Sequence, residues 1–342
     1  MKKFLLTILI SAGLTPAFAN LDIVWPVPND GFLEAKPYEA YIQPHPHEDG
    51  IESGLFGCVR NNRTSLHKGI DIRATQFDRM EESLDPIHSI LQGKIRYINR
   101  IPRLSNYGRY IVIEHTETSP SLLSVYSHLR SIPEDLKRGQ IVRKGQFIGI
   151  LGRSTSKRSI AKRNAYLHFE VGFQLSNQFA AWHKNLKPAP AVSNQHENWH
   201  PGNLIGLDFL ELLTYLSKRE NASVKDYLFS RPLATSIKVQ TRNIPDFVRR
   251  HPELLAKPMS EGQVSGWQIN FTGSGIPYAW KALSQDEISS LGPNNMKVVF
   301  HDEKVLGAYP CNNLVATNWK GEAIPGSWAR HVIDLLLDIK NP

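Results

Sequence analysis

The sequence predicts a mainly β protein, with an antiparallel β-sheet groove in its first half and an α+β domain in its second. Three observations predict it. Alternating and β-branched runs recur between residues 53 and 175, Gly-bearing turn pairs separate them, and helical periods gather only beyond residue 200.

The elements follow in order. Residues 20–52, rich in Pro and His, read as an extended arm rather than a packed unit. Ile87–Ile98 alternates in part, with Gly93 as a bend. Tyr110–Ile113, Leu122–Leu129 and Phe147–Leu151 read as strands, and Gly139-Gln140 and Lys144-Gly145-Gln146 mark turns. Leu167–Phe173 sets Leu, Phe, Val and Phe against His168, Glu170 and Gly172, the pattern of a half-buried strand. Residues 176–199 read as a connector. From residue 200 to 342 the texture changes to a second domain. Leu204–Leu216, Pro245–Leu255 (with Asn243 as N-cap) and Ser327–Ile339 carry helical spacing, and Trp267–Phe271 and Lys297–Phe300 look like strands.

The first residues point to export. Lys2 and Lys3 precede an apolar run from Phe4 to Ile10, and Ala17-Phe18-Ala19 is a small-x-small cleavage site, so residues 1–19 read as a signal peptide. The expected location is periplasmic or extracellular, with no membrane span once the signal is removed. The chain has 342 residues and a formal net charge of +8, which falls by two when Lys2 and Lys3 leave. Basic charge in an exported protein suits an anionic polymer such as cell wall; export argues against nucleic acid as partner. The two cysteines, Cys58 and Cys311, lie far apart. In an oxidising compartment they can close one disulfide tying the two regions together; the sequence allows this pairing without requiring it.

His67-Lys68-Gly69-Ile70-Asp71 sets an imidazole and a carboxylate four residues apart, on one face of either a helix or a strand, and Gly69 with Ile70 and Ile72 favours a strand. His168, from a distant strand, adds a third donor. Two nitrogens and one oxygen leave a fourth position open to water, the pattern of a catalytic zinc site holding one ion per chain. Alone, the His-x-x-x-Asp spacing is a common structural pair. Its standing changes with the company it keeps.

That company runs in five ordered blocks. They are Leu66–Ile72, Tyr107–His115, Val125-Tyr126-Ser127-His128-Leu129, Lys144–Gly149 and Leu167-His168-Phe169-Glu170-Val171. Together they resemble the lysostaphin/LytM-type zinc metallopeptidases over residues 53–175. The resemblance implies a β-sheet groove, one Zn2+ held by His67, Asp71 and His168, and hydrolysis of peptide cross-links in bacterial peptidoglycan by zinc-activated water. It places His128 beside the ion, where a neutral imidazole can take or give a proton. The implied partners are peptidoglycan stem peptides. The oligomeric state is not legible, nor is the bond cut.

One departure matters. The family reads His-Leu-His where this chain reads Tyr166-Leu167-His168. Tyr166 shares the face of His168, and a phenol can donate to a developing oxyanion, although it is a poor base at neutral pH. Either Tyr166 takes over the electrophilic role or turnover is slowed. The alternative function is therefore a catalytically impaired module that binds wall or regulates another wall hydrolase.

Other residues read as follows. His45 and His47 read as a solvated loop, with a second metal site or an inhibitory arm as the sharper alternative. His115 reads as structural. His196 and His200 flank Trp199 in the connector and read as loop residues rather than a second metal site. The basic loop Arg153–Arg163 borders the groove in the family, so it either meets anionic groups of the substrate or stands exposed. Glu170 is positioned for a hydrogen bond to a metal-bound His. Trp199, Trp267, Trp280 and Trp319 read as core residues, with a glycan-stacking surface as the alternative.

Overall fold

The computed structural model describes residues 21–46, 48, 50–157, 160–186, 193–259, 262, 264–289, 291 and 296–338. The signal read in residues 1–19 lies outside the described residues.

Among the described residues, eleven strands occupy the first part of the chain: β1 (Gly57–Arg60), β2 (Ser65–His67), β3 (Ile70–Arg73), β4 (Pro86–His88), β5 (Gly93–Asn99), β6 (Tyr110–His115), β7 (Leu122–Ser127), β8 (Ile141–Val142), β9 (Phe147–Ile150), β10 (Tyr166–Gln174) and β11 (Leu204–Leu207). A seven-stranded antiparallel sheet has the order β11-β10-β7-β6-β5-β8, with β3 also on β10. Two small antiparallel pairs, β1 with β2 and β4 with β9, are separate from it.

The nine-residue β10 organises the sheet. Its first half pairs with β3, its second half with β11 on the same side, and β7 runs along its other edge. Every residue of β10 is buried, not the alternate ones that a half-buried strand would show. Leu167, Phe169, Val171 and Phe173 face the main core. On the opposite face, Tyr110, Val112, Leu123, Val125 and Leu204 form a second apolar cluster, covered by Tyr97, Tyr107 and Trp199. The connector, through Trp199, thus closes a face that strand alternation assigns to solvent.

His67 and Asp71 do not share one continuous strand, as the spacing suggested. His67 ends β2, Asp71 lies in β3, and Lys68-Gly69 cross between them. Gly69 is required there: a Cβ would sit 2.1 Å from the Phe169 carbonyl oxygen.

Leu204–Leu216 also divides. Leu204–Leu207 is β11 on the main sheet, and the helix runs only from Phe209 to Ser217, capped by the Asp208 carboxylate accepting from the Glu211 N–H. Gly206 permits the close approach; a Cβ would meet the Lys68 carbonyl oxygen at 1.8 Å. A four-stranded antiparallel sheet follows, in the order β14 (Pro277–Leu283), β13 (Gly266–Phe271), β12 (Thr235–Gln240), β15 (Met296–His301), with a small β16 (Val315–Thr317) and β17 (Ala323–Pro325) pair. Helix Asp246–Arg250 begins after Pro245, and Asn243 does not cap it; the Asn243 side chain donates instead to the Leu337 carbonyl. The last helix spans Ser327–Leu337, and Ile339 lies outside the described residues.

One hydrophobic cluster runs from Trp25 and Tyr41 through Ile70, Phe169 and Phe209 to Trp280 and Leu336. The arm is therefore not a free extension. Trp25 stacks on Phe32 and Phe209, Tyr41 and Ile42 are buried, and the Gln43 N–H donates to the Asp71 carbonyl. Burying each such side chain is worth ~1.5–3 kcal/mol. Trp267 and Trp280 pack edge to face in the core, as expected, whereas Trp319 stands 89% exposed. Cys58 and Cys311 are disulfide-bonded, joining β1 to the C-terminal region.

Candidate metal centre

Strand register brings the site together. In the β3/β10 pair His168 and Asp71 are direct cross-strand partners, so two side chains almost a hundred positions apart share one face at adjacent positions. His67 enters from the end of β2. His168 Nδ1 is 2.8 Å from Asp71 Oδ1 and 3.0 Å from His67 Nε2, and His67 Nε2 is 3.2 Å from Asp71 Oδ1. All three residues are buried.

Hydrogen bonds at the far side of each ring select which nitrogen faces inward. His67 Nδ1–H donates to the Leu55 carbonyl at 2.7 Å, and Arg60, a donor only, points Nη2 at His67 Nε2 at 3.2 Å. His67 Nε2 is thus a bare lone pair. His168 Nε2–H donates to Glu170 Oε1 at 2.9 Å, which turns Nδ1 inward. Tyr107 Oη donates to the same Glu170 oxygen, and Arg60 Nη2 donates to Asp71 Oδ2.

Two nitrogens and an oxygen converging within 4.8 Å of one another fit zinc. Donors around a four-coordinate zinc ion with bonds near 2.0–2.1 Å lie about 3.3 Å apart. The inward atoms already stand close to that separation. The chain's charges point the same way. Asp71 is buried, which raises a carboxyl, yet the charges of His67 and Arg60 and the bond from His168 hold it well below the usual range. Burial opposes charge on Glu170 too, but Lys68, His168 and Tyr107 lower it to about 2. Burial also opposes charge on His168, while Asp71 and Glu170 outweigh it and raise the imidazole to about 9. His67 is lowered, chiefly by burial. The centre sets positive charge between anionic partners.

His128 follows the end of β7 with φ +64°, in the left-handed region unusual for a side chain of this kind. Its N–H donates to the Tyr107 carbonyl and its Nδ1–H to the Ser154 carbonyl at 2.8 Å, leaving Nε2 as the accepting nitrogen. Its ring lies 4.9 Å from that of Tyr166 and 5.9 Å from that of His168, centroid to centroid. Burial and the neighbouring His168 lower it to about 4, so it is neutral at pH 7. Burial raises the Tyr166 phenol, which stays protonated. These residues line a cleft of ≈ 840 Å³, with Tyr107 and Lys157 on its walls.

The comparisons with known proteins bear on this part of the chain. The sequence model of peptidase family M23 matches residues 65–179, a span that holds His67, Asp71, His128, Tyr166 and His168. Over this stretch the chain is similar to peptidase family M23. Among solved structures, a zinc-containing peptidase from Vibrio cholerae is 28% identical, with 39% of this chain and 34% of that one covered and a TM-score of 0.26. A Ruminococcus gnavus protein assigned as a glycyl-glycine endopeptidase, LytM, is 24% identical over 32% of this chain and 40% of that one, with a TM-score of 0.27. Csd3 of Helicobacter pylori is 20% identical over 57% and 38%, with a TM-score of 0.26. The chain thus spans well under half the length of these relatives, and scores this low say nothing of overall architecture. No curated protein sequence matches the chain.

The remaining candidates sort around the stretch that the M23 model matches. His45, Pro46 and Glu48 of the arm line the cleft, and Glu48 accepts from the Asn61 N–H, so this stretch is a wall of the cleft rather than a solvated loop. His47 lies outside the described residues. His115 donates and accepts within the core, to the Gln92 carbonyl and Ser124, which is the structural role expected. His196 bonds Tyr97 and the Leu104 carbonyl, and His200 accepts from the Gly202 N–H; among the described residues the pair joins no metal-type cluster. In the basic loop, Arg153 and Arg163 pair with Glu82 and Glu81, while Lys157 reaches the cleft and Arg158 and Ser159 lie outside the described residues. Sequence reasoning gave no role to Arg60, which belongs to no spacing motif, or to Tyr107, which only opens one of the five blocks; the folded chain brings them to Asp71 and Glu170.

Proposed function

We propose that the chain is an exported, zinc-dependent endopeptidase that opens peptide cross-links of bacterial peptidoglycan, with stem peptides as its substrate. The observation that carries this reading is the convergence of His67 Nε2, His168 Nδ1 and Asp71 Oδ1, with His128 and Tyr166 beside them in one cleft. His67, Asp71 and His168 would hold the ion. A bound zinc ion lowers the pKa of a coordinated water and polarises a carbonyl.

The chain's own residues supply the rest. His128 is neutral at pH 7, with Nδ1–H anchored on Ser154, so Nε2 accepts the proton of the attacking water and passes it to the leaving amine. Tyr166 keeps its proton and donates a hydrogen bond to the carbonyl oxygen as charge develops there. Glu170, with Tyr107 and Lys68 behind it, fixes the orientation of the His168 ring.

A second reading is favoured by one observation, the phenol at position 166. A wall-binding module of slow turnover would keep the metal ligands and lose the second imidazole. Digestion of cross-linked peptidoglycan separates the two readings. The zinc-loaded chain is expected to release new primary amines and convert dimeric muropeptides to monomers, with His128→Ala reducing the rate by roughly 10²–10⁴. Sacculus binding without any new amine would establish the module reading.

A further inference from the structure

Asp71 divides its carboxylate between two tasks. Oδ1 faces the inward nitrogens of His67 and His168, and Oδ2 accepts from Arg60 Nη2. Asp71 is 0% exposed and the Arg60 side chain 12% exposed, so water competes little for either oxygen. Arg60 comes from the last residue of β1, opposite Ser65 of β2 and beyond a register shift at Cys58. It lies outside the stretch that the M23 model matches, on a strand bonded through Cys58 to Cys311. Its Nη1 is buried without a hydrogen-bond partner. A guanidinium held at that desolvation cost, with Asp71 as its acidic partner, is placed for a purpose other than surface pairing.

A carboxylate can bind a metal through one oxygen or through both. The second mode consumes a coordination position, and hydrolytic zinc centres need one left open. We infer that Arg60 is a positioning residue that reserves Asp71 Oδ2, so that Asp71 offers a metal one oxygen only. This rests on the reading of His67, Asp71 and His168 as metal ligands. The competing account is that Arg60 is a cation placed against His67 Nε2 that merely weakens metal binding.

Cobalt(II) substitution of the whole mature chain tests it, because cobalt absorbs strongly in four-coordination and faintly in higher coordination. Wild type and Arg60→Lys, which keeps a donor for Oδ2, are expected to show intense visible bands. Arg60→Met is expected to lose most of that absorption at unchanged cobalt stoichiometry. An Arg60→Met spectrum equal to wild type overturns the inference, and tighter cobalt binding with that same spectrum establishes the competing-cation account. Wild type that takes up no cobalt sinks the ligand reading and this inference together. Should Arg60→Met not fold, the crystal structure of the metal-loaded wild type decides. Asp71 bound through Oδ1 with Arg60 on Oδ2 supports the role; both oxygens on the metal, or a withdrawn guanidinium, overturns it.

Discussion

His168 Nδ1 and Asp71 Oδ1 lie 2.8 Å apart because β3 and β10 set the two residues directly opposite one another. His67 Nε2 lies 3.0 Å away, so three polar atoms meet at one point. A cation bound among them would satisfy all three at once. Removing it should therefore cost stability, since an ion that binds only the folded chain adds RT ln(1 + [ion]/Kd), ~2.7 kcal/mol at a hundredfold excess over Kd. Chelation is predicted to lower the thermal midpoint by several degrees and zinc to restore it; an unchanged midpoint under both treatments would speak against a preformed site.

Tyr166 is the departure from the family pattern, and its buried phenol can only donate near neutral pH. Tyr166→Phe removes the donor and is predicted to lower kcat by ~10²–10³ with zinc content unchanged. Tyr166→His is predicted to remain active. A gain of orders of magnitude in that variant would mean that the native residue limits turnover.

The Cys58–Cys311 bond closes a separation of 253 residues. Cys58→Ser with Cys311→Ser is predicted to lose ~2–4 kcal/mol of unfolding free energy. Urea titration of the oxidised wild type and the double variant, with the thiols of each counted, measures it. Equal midpoints would show that packing alone holds β1 to the C-terminal region.

Acid should destabilise the fold in a defined window. Burial lowers His115 to about 4, the Gln92 carbonyl bond offsetting it only in part, and burial with the charge of Arg250 lowers His251 to about 3. Both titrate near 6.5 when unfolded. The unfolded chain then takes up protons that the folded chain refuses. Their contribution is complete above pH 6.5 and is lost as pH falls through 4 and 3, roughly 3 kcal/mol for His115. His115→Gln is predicted to flatten the fall in stability between pH 7 and 5. A profile identical to wild type would remove His115 from this account.

The parts of the fold legible in the sequence are those with local pattern. The spacing of His67 and Asp71, the β-branched run at Tyr110–Ile113 and the Tyr166–His168 block are local, and the strands fall where such runs stand. What stayed hidden depends on pairing between distant segments. Leu204–Leu207 has an apolar content equally suited to a helix start, and its pairing with β10 makes it a strand. The buried back of β10 needed Trp199 brought over it from the connector. Trp25 and Tyr41 sit in a stretch whose Pro content signals extension and says nothing of what it packs against. Arg60 belongs to no motif in sequence and becomes a partner of Asp71 only once β1, β2 and β3 are brought together.

The most direct test of the central claim is the metal content of the purified chain, measured beside His67→Ala, Asp71→Ala and His168→Ala after equal exposure to zinc. The account predicts close to one zinc per wild-type chain and loss of most of it in each variant, with far-UV circular dichroism unchanged. Full zinc content in any one folded variant, or none in the wild type, would contradict it.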